Sequence, residues 1–122
     1  MRRAAASDAN QPDIVKALRG AGATVQHLHG VGEGCPDLLV GYHHLNILME
    51  VKDGAKPPSA QKLTGPQVIW HRDWRGKVYV VNCEEQALSI LAAELAFVRT
   101  RVPGWDVNAP VAPVPSETEA GE

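Results

Sequence analysis

Two acidic residues and one lysine carry the strongest chemical signal in the sequence. Asp37 begins a short apolar stretch, and Glu50 and Lys52 lie two positions apart at the end of the next one. Because side chains two positions apart leave the same face of a strand, Glu50 and Lys52 should project together. A hairpin turn centred near His43 and His44 would bring position 37 opposite position 50. The three charged groups would then share one end of one sheet face.

Such a group of charges inside an apolar sheet needs a partner, because buried ions cost several kcal/mol each unless they are paired or bound to metal. A divalent cation between the two carboxylates removes their repulsion, and Mg²⁺ prefers oxygen ligands. Such a cation makes a nucleophile from bound water and neutralises charge on a phosphate. Lys52 could orient or deprotonate that water, or stabilise the transition state. These residues therefore indicate metal-assisted hydrolysis at a phosphate.

The composition is that of an ordinary globular protein. The chain has 122 residues, of which 44% are apolar and 21% are charged, so we expect one domain. No apolar run is long enough for a membrane span or a secretory signal. Two cysteines are too few for a disulfide scaffold or a cysteine zinc site. We expect a protein of the reducing cytoplasm with no membrane association.

The charge is distributed unevenly along the chain. The formal net charge is −2, but Lys and Arg exceed Asp and Glu by ten to seven in residues 1–80 and fall behind by two to seven in residues 81–122. The most basic stretch is 56–77, which forms either an ordinary solvated surface or a surface that binds DNA phosphates. The candidate DNA-contacting residues there are Lys56, Lys62, Arg72 and Arg75.

Hydrophobic periodicity and turn signals predict an α-β-β-β-α-β-α order. We therefore expect an α/β fold with a mixed central β-sheet flanked by helices. Residues 1–10 are predicted to be a flexible N-terminus, 11–100 the folded domain, and 101–122 a disordered acidic, proline-rich tail. The predicted elements are a helix over 11–20, strands over 23–29, 37–41 and 45–52, a helix over 66–75, a strand over 77–82 and a helix over 84–99.

Three further patterns have more than one interpretation. Thr64 and Gln67 form a capping box, which explains Gln67 without any catalysis. Trp70 and Trp74 are spaced as a helical core stripe, although aromatic rings among basic residues also stack on nucleic acid. Four histidines with the cysteines lack the spacing of a zinc site. The last helix should bury one apolar stripe, made of Ala87, Leu88, Leu91, Leu95 and Val98.

The run Cys35-Pro36-Asp37, followed after twelve residues by Glu50-Val51-Lys52, resembles the PD-(D/E)XK nuclease superfamily. The likeness is greatest to phage-type VRR-NUC nucleases and Holliday junction resolvases. The glycine-rich loop over 30–34 and Gln67 after the motif add to the resemblance, which covers about residues 8–90.

The resemblance implies that Asp37 and Glu50 bind Mg²⁺ or Mn²⁺ together with the Val51 carbonyl. It implies that Lys52 is the catalytic lysine and that Gln67 is an accessory residue. Gln11 holds a first-helix position where some relatives have an acid, and Asp8 is a second candidate for that role.

The function implied is a DNA endonuclease, encoded by a phage or prophage, that works as a homodimer on branched DNA. The alternatives are an inactive nuclease-fold module that binds DNA or a protein partner, and a small interaction protein whose three charges only pair at a strand end.

Overall fold

Residues 8–101 are described by the computed structural model, and they follow the predicted order of elements. Every boundary lies within two residues of its prediction, and one short 3₁₀ turn lies in a predicted loop. The elements are α1 (Gln11–Gly20), β1 (Thr24–His27), β2 (Leu38–Tyr42), β3 (Leu45–Val51), the 3₁₀ turn (Pro58–Gln61), α2 (Gly65–Asp73), β4 (Val78–Val81) and α3 (Glu84–Arg101).

The two predicted terminal segments fall largely outside the described residues. Arg101 is the last residue of α3, so the predicted tail contributes only that residue. Of the predicted flexible N-terminus, residues 8–10 are described. Within 8–101, no helix has the length and apolar character to cross a membrane.

The sheet combines antiparallel and parallel pairing in the order β1-β2-β3-β4. β1, β2 and β3 are antiparallel neighbours, whereas β4 pairs parallel to β3 after a crossover through α2. Leu38 pairs with Met49, so the same register continued by one step sets Asp37 opposite Glu50. The predicted mixed α/β sheet flanked by helices is confirmed.

The side chains of β3 alternate between the apolar core on one face of the sheet and the charged residues on the other. Ile47, Met49 and Val51 belong to the buried apolar cluster that also includes residues of α1 and α3. Because successive side chains of a strand point to opposite faces, Glu50 leaves the face that is turned away from this cluster. The core therefore holds the strand in place without contacting the charged group.

The predicted stripe of α3 is wrong at one position. Leu88 is 37% exposed, whereas Glu94 is buried on this helix. Glu94 accepts hydrogen bonds from the Tyr79 hydroxyl and, at 3.0 Å, from Lys77 Nζ. These partners on and beside β4 make the buried carboxylate tolerable, which hydrophobic periodicity alone cannot reveal.

The core-stripe interpretation of Trp70 and Trp74 is wrong for Trp74, whereas Trp70 is partly buried. α2 ends at Asp73 and contains no fully buried residue, and Trp74 beyond it is 46% exposed. The two indole rings stack on each other, with centroids 4.7 Å apart and planes inclined by 17°. Helical spacing brings the rings together, but about half of the Trp74 surface stays exposed.

A two-residue turn joins β2 to β3 at the end of the hairpin away from Asp37 and Glu50. His43 and His44 have φ angles of 48° and 68°, in the left-handed region. A turn with both central residues in this region matches the twist of the flanking strands. It places Tyr42 opposite Leu45 and so sets the register of the whole hairpin.

We expect His44→Gly to raise the free energy of unfolding by about 1 kcal/mol, because glycine adopts the left-handed conformation without the penalty of a Cβ atom. Urea unfolding followed by circular dichroism would measure the change. His29→Gly is the control, since His29 lies in a turn without a positive φ. An equal gain in both variants would contradict this explanation.

Candidate active site

The backbone around Asp37 holds its carboxylate against β3. The Val51 N–H donates to Asp37 Oδ2 at 2.8 Å. The Leu28 N–H donates to the Asp37 carbonyl, also at 2.8 Å. Asp37 is thus fixed from β3 on one side and from the end of β1 on the other.

Glu50, Lys52 and Gln67 form a connected polar cluster. Lys52 Nζ donates to Gln67 Oε1 at 2.7 Å, and Gln67 Nε2 donates to Glu50 Oε2 at 3.1 Å. Lys52 Nζ lies 3.9 Å from the same Glu50 oxygen. Glu50 is 2% exposed and Lys52 is 8% exposed, so the cluster is nearly closed to solvent. The amide of Gln67 orients a carboxylate and an ammonium at the same time.

Gln67 also makes the capping box that its sequence context predicts. Its Oε1 atom accepts from the Thr64 N–H at 2.9 Å, and its own N–H donates to Thr64 Oγ1 at 3.4 Å. The two interpretations of Gln67, helix cap and site residue, are therefore compatible. The start of α2 and the charged cluster share one side chain.

Burial beside a second carboxyl controls the charge of Glu50. Its pKa is raised to about 9, first by burial, then by a hydrogen bond to Asp37 and by the negative charge of Asp37. Lys52 acts in the opposite direction. Glu50 Oε1 is buried and accepts no hydrogen bond from any described residue. The two carboxyls must share a proton, or a cation must take its place.

This donor set fits a hard divalent cation. Two adjacent carboxyls, one with a buried oxygen that lacks a donor, supply the oxygen ligands that Mg²⁺ or Mn²⁺ prefers. Across residues 8–101, no three His, Cys, Asp or Glu side chains are grouped to hold a metal ion, so any further ligand would be a backbone carbonyl, a side-chain amide oxygen or water. The Val51 carbonyl remains the predicted backbone ligand.

The two candidates at the start of α1 lie in different surroundings. Asp8 pairs with Lys56 at 3.4 Å, and its charge contributes to the raised pKa of Glu50. Gln11 is buried, and its Nε2 atom lies 3.5 Å from His27 Nδ1. The negative charge of Asp8 therefore acts on Glu50 electrostatically, whereas the side-chain amide of Gln11 contacts β1.

The four predicted DNA-contacting cations also differ. Lys56 is held by Asp8, and Arg72 is held by Asp73 through bonds of 2.9 and 3.3 Å. Among the described residues, Lys62 and Arg75 have no ion-pair partner. Lys62 and Arg75 are thus the cations most available to an external phosphate, and all four roles remain predictions.

Asn10 is a positioning residue that the sequence patterns do not reveal. Asn10 directly precedes α1, a position where asparagine often caps a helix, but its side chain makes no capping bond. Instead its Nδ2 atom donates to the carbonyls of Lys52 and Asn82, both at 3.0 Å. Asn10 therefore joins the start of α1 to the ends of the two parallel strands.

His71 is a second residue near the site that was not predicted. Its Nε2 atom is buried without a hydrogen-bond partner among the described residues, and burial, followed by the charge of Lys52, lowers its pKa. His71 lies four residues after Gln67 and therefore on the same face of α2, and this spacing in the sequence indicates that it lies near the site.

The glycine-rich loop before Asp37 packs directly against α2. Gly34 has a φ of 83°, and a Cβ atom there would lie 2.3 Å from the Pro66 carbonyl oxygen and 2.9 Å from the Gln67 nitrogen. Only glycine allows this close approach. The loop that leads into Asp37 thereby positions the helix that carries Gln67.

A solved structure described as a VRR_NUC domain has the same architecture. It superposes with a TM-score of 0.51 and 25% sequence identity, covering 67% of this chain and 89% of the other. The chain has a VRR-NUC-like nuclease fold. No protein-family model and no curated protein matches this sequence. This structural match supports the VRR-NUC part of the resemblance that the spacing of Asp37, Glu50 and Lys52 suggested.

We expect Gly34→Ala to lower the free energy of unfolding by at least about 1–3 kcal/mol, because alanine is strained at this φ and collides with the α2 backbone. Gly30→Ala is the matched control, since a Cβ atom at position 30 would meet no other atom within 4 Å and the φ there is not positive. Chemical denaturation would compare the two. Equal stability of both variants would contradict the packing role of Gly34.

The shifted pKa of Glu50 predicts a pH-dependent stability in the presence of a chelator. Between pH 4.5 and about 9 the folded state retains a proton on Glu50 that the unfolded state has lost. The free energy of unfolding of the wild type should therefore fall as pH rises through this range. Glu50→Gln has no such proton, so its free energy of unfolding should not fall in this way. By pH 8 it should exceed that of the wild type by about 1–3 kcal/mol. Denaturant titrations at pH 5 and pH 8 would test this, and a difference that is independent of pH would contradict it.

Proposed function

We propose that this protein is a metal-dependent endonuclease that hydrolyses DNA phosphodiester bonds. The observation that carries the proposal is the cluster of Asp37, Glu50, Lys52 and Gln67 at one end of the sheet. A salt-bridged strand end would explain Glu50 and Lys52, but it would not explain a second carboxyl beside the buried Glu50. The VRR-NUC-like fold supports a nuclease.

Asp37 and Glu50 would hold the divalent cation, together with the Val51 carbonyl. When bound, Mg²⁺ or Mn²⁺ supplies positive charge next to a phosphate and lowers the pKa of coordinated water. The carboxyl of Glu50 is then ionised, because the cation replaces the proton that it shares with Asp37.

Lys52 acts as a fixed positive charge near the reacting phosphate. Its ammonium donates to Gln67 Oε1 at 2.7 Å, and the Thr64 N–H fixes the same oxygen at 2.9 Å. An ammonium that is already oriented stabilises negative charge developing in the transition state without reorganisation. Gln67 is accordingly a positioning residue for Lys52 and Glu50.

The substrate and assembly follow from the resemblance to junction resolvases. We extend the proposal to branched DNA, cut by a homodimer that presents two active sites to two symmetric strands. The unpaired cations Lys62 and Arg75 are the first candidates for phosphate contacts beyond the cleaved bond.

We expect the wild type to cleave DNA only with Mg²⁺ or Mn²⁺, and Asp37→Asn and Lys52→Met each to lose at least about 100-fold in rate. Gel assays on linear, flapped and four-way DNA would measure cleavage. Asp13→Asn is the matched control, because it removes an exposed carboxylate of α1 and should leave the rate unchanged.

A second readout separates metal binding from catalysis. Mn²⁺ should raise the melting temperature of the wild type and of Lys52→Met, but not that of Glu50→Ala, because only a ligand to the folded state shifts the unfolding equilibrium. Cleavage that persists in folded Asp37→Asn would contradict the proposed function, as would metal-dependent binding of DNA without cleavage.

A further inference from the structure

An open apolar groove lies on the sheet face opposite the main core. Its volume is about 510 Å³, and its floor includes Leu39 and Leu48 of β2 and β3. Trp70 and Trp74 line its side, and Cys35 and Lys77 also belong to its lining. We call this feature the Trp74 groove.

The indole of Trp74 has close neighbours although the residue is 46% exposed. One face stacks on Trp70, and Gly76 lies so close that a Cβ atom there would come within 2.8 Å of Trp74 Nε1. A large aromatic surface held in an open groove is an uncommon feature of a monomer surface and usually marks a contact with another molecule.

The groove is lined by residues that lie close in sequence to the candidate active site. Cys35, in its lining, lies two residues before Asp37. Trp70 lies one helical turn after Gln67 on α2. A strand whose phosphate reaches the carboxyls therefore has this groove beside it.

The charges around the groove favour an anionic chain. None of its lining residues is acidic. Lys77 is in the lining, although its ammonium also forms an ion pair with Glu94. Arg75 follows Trp74 directly and has no ion-pair partner in residues 8–101. Indole faces together with neighbouring cations are how proteins bind single-stranded nucleic acid, because every base has a π-face and every linkage has a charge.

We propose that the Trp74 groove binds one unpaired nucleobase of the DNA substrate, stacked on the Trp74 indole, with Arg75 on an adjacent phosphate. The inference rests on the proposed nuclease function and specifies its substrate as DNA with an unpaired segment beside the cleaved bond. A base paired inside a duplex cannot stack on the indole, because both of its faces are covered by its neighbours.

The test measures binding separately from cleavage. Fluorescence anisotropy in EDTA would compare a labelled single-stranded oligonucleotide, a blunt duplex of the same sequence, and an oligomer of abasic units of equal length. Trp74→Ala should weaken binding of the single strand about tenfold or more and leave the duplex and the abasic oligomer within about twofold. Trp74→Phe, which keeps an aromatic face, should restore most of the loss.

Two further variants control for indirect effects. Gly76→Ala displaces the indole without removing it, and should weaken binding of the single strand in the same selective way. Leu88→Ala removes an exposed apolar side chain from α3 and should change nothing. Thermal melting would verify that each variant is folded.

The outcomes distinguish this inference from the proposed function. If the wild type neither binds nor cleaves any DNA, both are wrong. If the wild type cleaves DNA but Trp74→Ala binds the single strand as tightly as the wild type does, only the groove inference is wrong. If Trp74→Ala changes only the oligomeric state in sedimentation, the groove is a contact between two copies and the inference is likewise wrong.

Discussion

The burial of Glu50 beside Asp37 is the constraint on which the rest of the site depends. Without a cation between them, ionising both carboxyls at once is unfavourable, and the pKa of Glu50 is raised accordingly. A chain selected only for stability would place an apolar residue at position 50, since the side chain there is only 2% exposed. The surrounding sheet instead supplies the stability that keeps this unfavourable pair together.

One side chain connects that constraint to the rest of the fold. Gln67 bonds to Glu50, to Lys52 and to the backbone of Thr64, so the helix cap and the polar cluster stabilise each other. The close contact of Gly34 with the α2 backbone holds the same helix from the side of Asp37. Both carboxyls are thereby positioned relative to a single helix start, which keeps the distances between the groups short.

The parts of the site that the sequence predicts are the local ones. Asp37 lies opposite Glu50 because a two-residue turn and strict alternation determine the register, and both are visible in the sequence. The contact of Gln67 with Lys52 depends on where the crossover places α2, which no local pattern encodes. Asn10 resembles a helix cap in the sequence, and only the tertiary structure turns its side chain to two strand ends. The exposure of Trp74 was missed because periodicity identifies an apolar face but not whether another element covers it.

The contacts of Asp8 and Asn10 have a practical consequence for work with this molecule. Asn10 ties the beginning of α1 to Lys52, and Asp8 stands close enough to influence the charge of Glu50. A peptide joined directly to Asp8 in a shortened variant would therefore start beside the candidate active site. A polyhistidine tag joined there would bring metal-chelating groups close to the candidate cation site, whereas one joined directly after Arg101 would follow a helix that packs on the opposite face of the sheet.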